Sequence, residues 1–129
     1  MDLADLNRWL GEYGRVWEQG DAEASVRLYT EDVKYYETPF TEPEAGHEAV
    51  RRYCLEAAGA QRDVHFSHEA LAMTGDTGIA RWQASFVRVP TGVKVDLDGV
   101  FLLQFDPEGK CRVLREWWHR REFETATGA

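Results

Sequence analysis

The sequence predicts an α+β domain in which helices come first and an antiparallel sheet follows. Three observations carry that reading. Apolar residues recur at helical steps through the N-terminal half, and turn chemistry at Gly75-Asp76, Pro90-Thr91-Gly92 and Pro107-Glu108-Gly109 divides the remainder into long extended runs. The turns between those runs are short, which joins neighbours as hairpins.

Leu3, Leu6, Leu10, Tyr13 and Trp17 alternate steps of three and four, lining one face of a first helix that runs to about Gln19 and stops at Gly20. Asp21 supplies an N-cap oxygen and Glu23 a first-turn negative charge for a short second helix through Tyr29. Val33 to Thr38 are mostly β-branched or aromatic and end at Pro39, which reads as a short strand, with Phe40 to Ala45 as loop. Gly46 opens a third helix whose apolar face is Val50, Tyr53, Cys54 and Ala57, closed by Gly59. Four long strands follow, at Arg62 to Thr74, Thr77 to Val89, Val93 to Phe105 and Lys110 to Phe123.

A chain of 129 residues fits one domain, expected over 1–124 with a frayed tail at 125–129. Its 43% hydrophobic and 29% charged residues are those of a globular protein in water, and no apolar run approaches the ~20 residues of a membrane span. Acidic residues occupy the N-terminus where a secretion signal would be basic and then apolar, so the expected location is cytoplasmic. The net charge of −8, with 23 acids against 15 bases, disfavours nucleic acid and anionic membranes as partners. The basic run His119-Arg120-Arg121 is flanked by Glu116, Glu122 and Glu124, which cancel its field locally. Cys54 and Cys111 have no metal-ligand spacing and read as reduced packing residues. No two histidines stand at i, i+2 on a strand or i, i+4 on a helix, so no metal is expected.

Period-two alternation places Ala80, Trp82, Ala84 and Phe86 on one face and Arg81, Gln83 and Ser85 on the other. Small residues between large ones suit a concave surface with a cavity, and ordinary core packing is the alternative reading of each aromatic. On the first strand Val33, Tyr35 and Glu37 share a face. Glu37 has two readings. Carried into an aromatic cavity it would lose hydration and exchange protons near neutral pH; at an exposed strand end it would be an ordinary solvated or salt-bridged acid. Asp98, beside Gly99, also has two: a bulge would turn it inward, and a regular strand would leave it solvated beside Asp96. Glu116 and His119 differ by three positions and so cannot form a dyad, although either could polarise a ligand, Glu116 on the face of Trp118 or His119 on the face of Trp117.

As an ordered set, Gly20-Asp21, Leu28-Tyr29, Asp32, Glu37-Thr-Pro-Phe40, Gly46-His-Glu-Ala-Val50, Leu97-Asp-Gly99 and Arg115-Glu-Trp-Trp118 resemble the SnoaL-like branch of the nuclear transport factor 2 superfamily. The resemblance implies three N-terminal helices packed on a strongly curved, mostly antiparallel sheet, forming a cone with one deep pocket. That superfamily includes isomerases, cyclases, a dehydratase, epoxide hydrolases and proteins that only bind or assemble. The similarity to ketosteroid isomerases implies Tyr13 as an oxyanion donor, and Glu37 as base when counted from Gly20-Asp21. Counting from Pro39 instead lands on Thr38, which cannot be a base. Asp98 would match that family's second donor only through a bulge. The Arg-x-Asp pair of limonene epoxide hydrolases is missing, as is a histidine set like that of scytalone dehydratase.

The expectation is a cofactor-free protein whose pocket, walled by Trp17, Tyr35, Phe40, Trp82, Phe86 and Trp118, takes a small apolar or partly polar molecule. Tyr13, Glu37 and Asp98 are its candidate catalytic residues, for isomerisation or cyclisation of an apolar carbonyl compound. A non-catalytic ligand-binding or assembly protein is the alternative. Val87, Val100 and Leu102 on the outer sheet face suggest a homodimer.

Overall fold

The computed structural model describes residues 1–123, so the expected tail at 125–129 lies outside the described residues. Three helices, α1 (Leu3–Gln19), α2 (Ala22–Val26) and α3 (Gly46–Ala60), pack on a sheet of six strands. The strands are β1 (Tyr29–Tyr36), β2 (Glu44–Ala45), β3 (Gln61–Thr74), β4 (Thr77–Arg88), β5 (Lys94–Phe105) and β6 (Cys111–Phe123). Their order is β2-β1-β6-β5-β4-β3, and the sheet curls around the helices without closing.

Asp2 and Asp5 form a reciprocal capping box at the start of α1, and Gly20 closes it in the left-handed region at φ 65°. Asp21 Oδ1 accepts the Ala24 N–H and starts α2 directly afterwards. α2 ends three residues before the expected Tyr29. There the Leu28 carbonyl accepts the Cys111 N–H, and Tyr29 pairs with Cys111, drawing the chain into a parallel ladder with β6. That ladder makes the sheet mixed. The segment expected as loop before α3 contains β2, which pairs Lys34 with Ala45 and Tyr35 with Glu44.

Leu6, Trp9, Leu10, Tyr13 and Val16 of α1 are buried, whereas Leu3 is exposed. α1 lies against β3, where glycine is required at position 14: a Cβ there would stand 2.5 Å from Phe66 Cδ1. β3 is bulged between Arg62 and His65, with Asp63 at φ 55°, and the Phe66 N–H bonds Glu18 Oε2 at 2.9 Å. These irregularities bend the strand over the helix.

The expected alternation in β4 holds. Ala80, Trp82, Ala84 and Phe86 are buried, and Arg81 and Gln83 are exposed. Trp82 stacks on Phe101 with ring centroids 5.1 Å apart and on Phe66 at 6.1 Å. It lies across Gly99, where a Cβ would meet the Trp117 carbonyl oxygen at 2.5 Å and Trp82 Cε2 at 3.0 Å. The glycine beside Asp98 therefore serves close approach within a regular ladder.

Candidate functional site

A cavity of about 350 Å³ opens between α1, α3 and the concave face of the sheet. Its walls are mainly aromatic and aliphatic. Trp17 is fixed by a 2.7 Å hydrogen bond from its Nε1 to Gln61 Oε1, and Trp118 by one of 3.0 Å from its Nε1 to the Glu37 carbonyl. Trp82 also lines the cavity, and its buried Nε1–H has no partner among the described residues. An unpaired buried donor of that kind costs about 1–3 kcal/mol.

The polar groups converge at the closed end. Inward residues of β6 run Leu114, Glu116, Trp118 because side chains alternate, and this brings a carboxyl into the core. Glu116 is only 5% exposed. The Tyr35 hydroxyl donates to Glu116 Oε1 at 2.6 Å, and the hydroxyls of Tyr13 and Tyr35 are 2.7 Å apart. Tyr35 has one proton. While it donates to an ionised Glu116, Tyr13 must donate to Tyr35 and can offer the cavity only lone pairs. A proton on Glu116 Oε1 reverses both bonds and frees the Tyr13 O–H for another acceptor.

Burial pushes the Glu116 carboxyl up to about 8, and the charge of nearby Glu37 adds to the rise, while the hydrogen bond from Tyr35 opposes it. Burial likewise raises the hydroxyls of Tyr13, Tyr35 and Tyr53 well above the ordinary tyrosine value, so all three stay protonated at neutral pH. Tyr53, from α3, packs 5.2 Å from the Tyr35 ring and lies beside Glu37.

Of the residues singled out from the sequence, Tyr13, Trp17, Tyr35, Glu37, Trp82, Phe86 and Trp118 line this cavity. Glu37 lies one residue beyond β1 and keeps the parity of buried Val33 and Tyr35, so it is Glu37 rather than Thr38 that faces inward. Two expectations are corrected. Phe40 is fully exposed in the turn after β1 and forms no wall, because the chain leaves the sheet at Glu37. Asp98 points outward. No bulge interrupts its pairing with Gln83 and His119, so it stays on the solvent face, where Arg81 Nη2 at 2.7 Å and Gln83 Nε2 at 3.0 Å bind its carboxylate and hold it below the usual range.

Glu116 and Tyr53 are two groups of this site that the sequence alone does not rank as candidates. Each had a signal: Glu116 shares a face with Trp118, and Tyr53 sits on the apolar face of its helix.

The SnoaL-like domain family matches residues 10–114 of the chain. No curated protein matches it. Among solved structures, the epoxide hydrolase/cyclase-like enzyme SalBIII, described in pyran ring formation in the polyether salinomycin, superposes with a TM-score of 0.77 at 23% identity, covering 88% of this chain and 89% of that one. A putative isomerase from Bacillus subtilis gives 0.80 at 16% identity, with coverages of 92% and 90%. An NTF2-like protein of unknown function from Exiguobacterium gives 0.71 at 18% identity, with coverages of 89% and 98%. At these identities the likenesses establish a shared fold.

Proposed function

The chain belongs to the SnoaL-like domain family, within the nuclear transport factor 2-like fold, and from that premise we propose that it catalyses cofactor-free proton transfer on a small apolar carbonyl compound. The observation that carries this reading is the pair of carboxyl groups on one cavity in unlike settings. Glu37 is partly exposed, while Glu116 is buried and tied to two tyrosines. Such a pair separates base from acid.

In this reading Glu37 removes a proton from the carbon next to the carbonyl. The electron pair moves onto the carbonyl oxygen, which accepts a hydrogen bond from Tyr13. Tyr13 has a proton to give because neutral Glu116 turns the relay through Tyr35 toward the cavity. The proton on Glu37 then returns to another carbon of the conjugated system, giving isomerisation, or the enolate carbon adds to a second carbonyl of the same molecule, whose oxygen takes the electron pair and then the proton from Glu37, closing a ring. Trp17, Tyr35, Trp82, Phe86 and Trp118 wall the apolar body of the molecule and exclude water.

The test is deuterium wash-in to 2-tetralone in D2O, followed by proton NMR above the spontaneous rate. Glu37→Gln is expected to lower the enzymatic rate by at least 100-fold with ligand affinity nearly unchanged. A wild-type rate equal to background, with the ketone bound, would favour the second reading, a ligand-binding protein, which the mainly apolar walls support.

The proposed setting is cytoplasmic, as a homodimer through the outer sheet face. Val100 and Trp117 are cross-strand neighbours there, 39% and 45% exposed. Sedimentation of the wild type against Trp117→Glu tests it, with a monomer expected from the variant alone.

A further inference from the structure

The inward rows of β4 and β6 change character along their length. On β4, Trp82 and Phe86 are followed by Arg88, and on β6, Glu116 and Trp118 are followed by Arg120. Both arginines line the cavity, at its open end beside Pro90 and Gln61. Between them β5 contributes Val95 and Leu97 and no charge.

Arg88 Nη1 and Arg120 Nε converge on the same oxygen, Glu122 Oε1, at 2.5 and 3.3 Å. Among the described residues, two guanidinium groups thus share one carboxylate oxygen, which leaves further N–H donors of both at the mouth. Among the described residues no ion pair joins Glu37 to either arginine. The side chains of Arg88 and Arg120 are 34% and 50% exposed, so their remaining donors face water. In a chain of net charge −8, two guanidinium groups at the entrance of an apolar cavity are a selective feature: they offer fork-shaped donors to a small anion on a protein that as a whole repels it. A guanidinium also binds carboxylate or sulfonate oxygens in a fork that a carbonyl or hydroxyl cannot match.

We propose that the cavity takes an apolar organic anion, seated with its charged group on Arg88 and Arg120 and its uncharged end toward Tyr13 and Glu116. The proposal rests on the cavity being the ligand site, as in the reading above, and adds the chemical class of the ligand. The anionic end fixes which carbon of the apolar body reaches Glu37 and Tyr13. A neutral terpenoid of equal size would lack that anchor.

Two fluorescent probes of nearly the same shape test it: 1-anilinonaphthalene-8-sulfonate, an anion, and N-phenyl-1-naphthylamine, its uncharged counterpart. Each is titrated into the wild-type protein, Arg88→Gln/Arg120→Gln and Glu122→Gln, and the two are competed against each other. The expected result is mutual displacement, tighter binding of the sulfonate by the wild type, and a roughly three- to tenfold loss of that binding in the double variant with the amine unchanged. Glu122→Gln, which frees both arginines, is expected to tighten the sulfonate instead. Sulfonate binding that does not displace the amine, or that the three proteins share equally, overturns the anionic ligand and leaves the proton-transfer reading intact. Failure of both probes to bind overturns this inference along with the cavity as a ligand site, and the deuterium wash-in then reports on proton transfer separately.

Discussion

The Tyr35 hydroxyl and the Glu116 carboxyl, 81 positions apart in the chain, meet at 2.6 Å in the interior and form a buried polar end of a mainly apolar cavity. Tyr35 is 3% exposed and Glu116 5%, so water competes little for either group. The bond ties β1 to β6 across their parallel ladder, and the state of one proton sets the direction of the whole relay.

Stability is expected to fall as pH rises. Folding lifts the Glu116 carboxyl from an ordinary 4.5 to about 8, so between those values the folded protein holds a proton that the unfolded chain has released. The loss begins above the unfolded value and levels off above about 8. Urea titrations from pH 5 to 9 should show this decline in the wild type and a flatter profile in Glu116→Gln. An equal slope in both proteins would mean that Glu116 is not the group responsible.

Tyr35→Phe should destabilise more than Tyr13→Phe. Losing the Tyr35 hydroxyl leaves both Glu116 and Tyr13 without the partner each has now, at a cost of about 1–3 kcal/mol, whereas losing the Tyr13 hydroxyl leaves Tyr35 still bonded to Glu116. Thermal melts at pH 6 give the comparison. The same Tyr35 change removes a bond that lowers the Glu116 value, so its pH-dependent decline should move to higher pH.

Gly14→Ala sets two effects against each other. Alanine in a helix interior gains about 1 kcal/mol over glycine, but the new methyl group would come 2.5 Å from Phe66 Cδ1, and overpacking of that kind costs about 1–3 kcal/mol. A net loss is expected in chemical denaturation. Combining it with Phe66→Leu should recover part of that loss, since the obstacle is the ring.

Asp98→Asn should leave turnover and ligand affinity unchanged. The Arg81–Asp98 pair is about half exposed on the outer sheet face, where water and salt screen it, and it lies away from the cavity. A large loss of activity in this variant would put the outer sheet face around Asp98, not the cavity, at the centre of the chemistry.

Much of the fold is legible because its signals are local. The three-and-four spacing of α1, the Gly20-Asp21 corner and the Gly and Pro turns each act through neighbouring residues, and the predicted bounds of α1 and of the four long strands fall within a residue or so of those found. The parallel union of β1 with β6 and the two-residue β2 depend on partners far along the chain, and no local pattern announces them. The site divides in the same way. Strand parity alone brings Tyr35, Trp82 and Phe86 to the cavity, but the rank of Glu116 depends on which hydroxyls meet it, and two of the strands involved become neighbours only in three dimensions. The placements of Phe40 and Asp98 are not legible in the sequence, for related reasons. The first follows the point where the chain departs from the sheet, and the second depends on a bulge that the regular register around Asp98 excludes.

The place of β6 in the sheet also governs the order in which the protein can be made. A nascent chain leaves the ribosome N-terminus first, and β1, once synthesised, has only the two residues of β2 to pair with until Cys111–Phe123 has emerged. β3, β4 and β5 can form hairpins in turn as they appear, but the cavity has no closed end before the last strand arrives between β5 and β1. The buried carboxyl, its tyrosine relay and the arginine at the mouth all wait on that final insertion, so the site and the completed fold come into being in the same step.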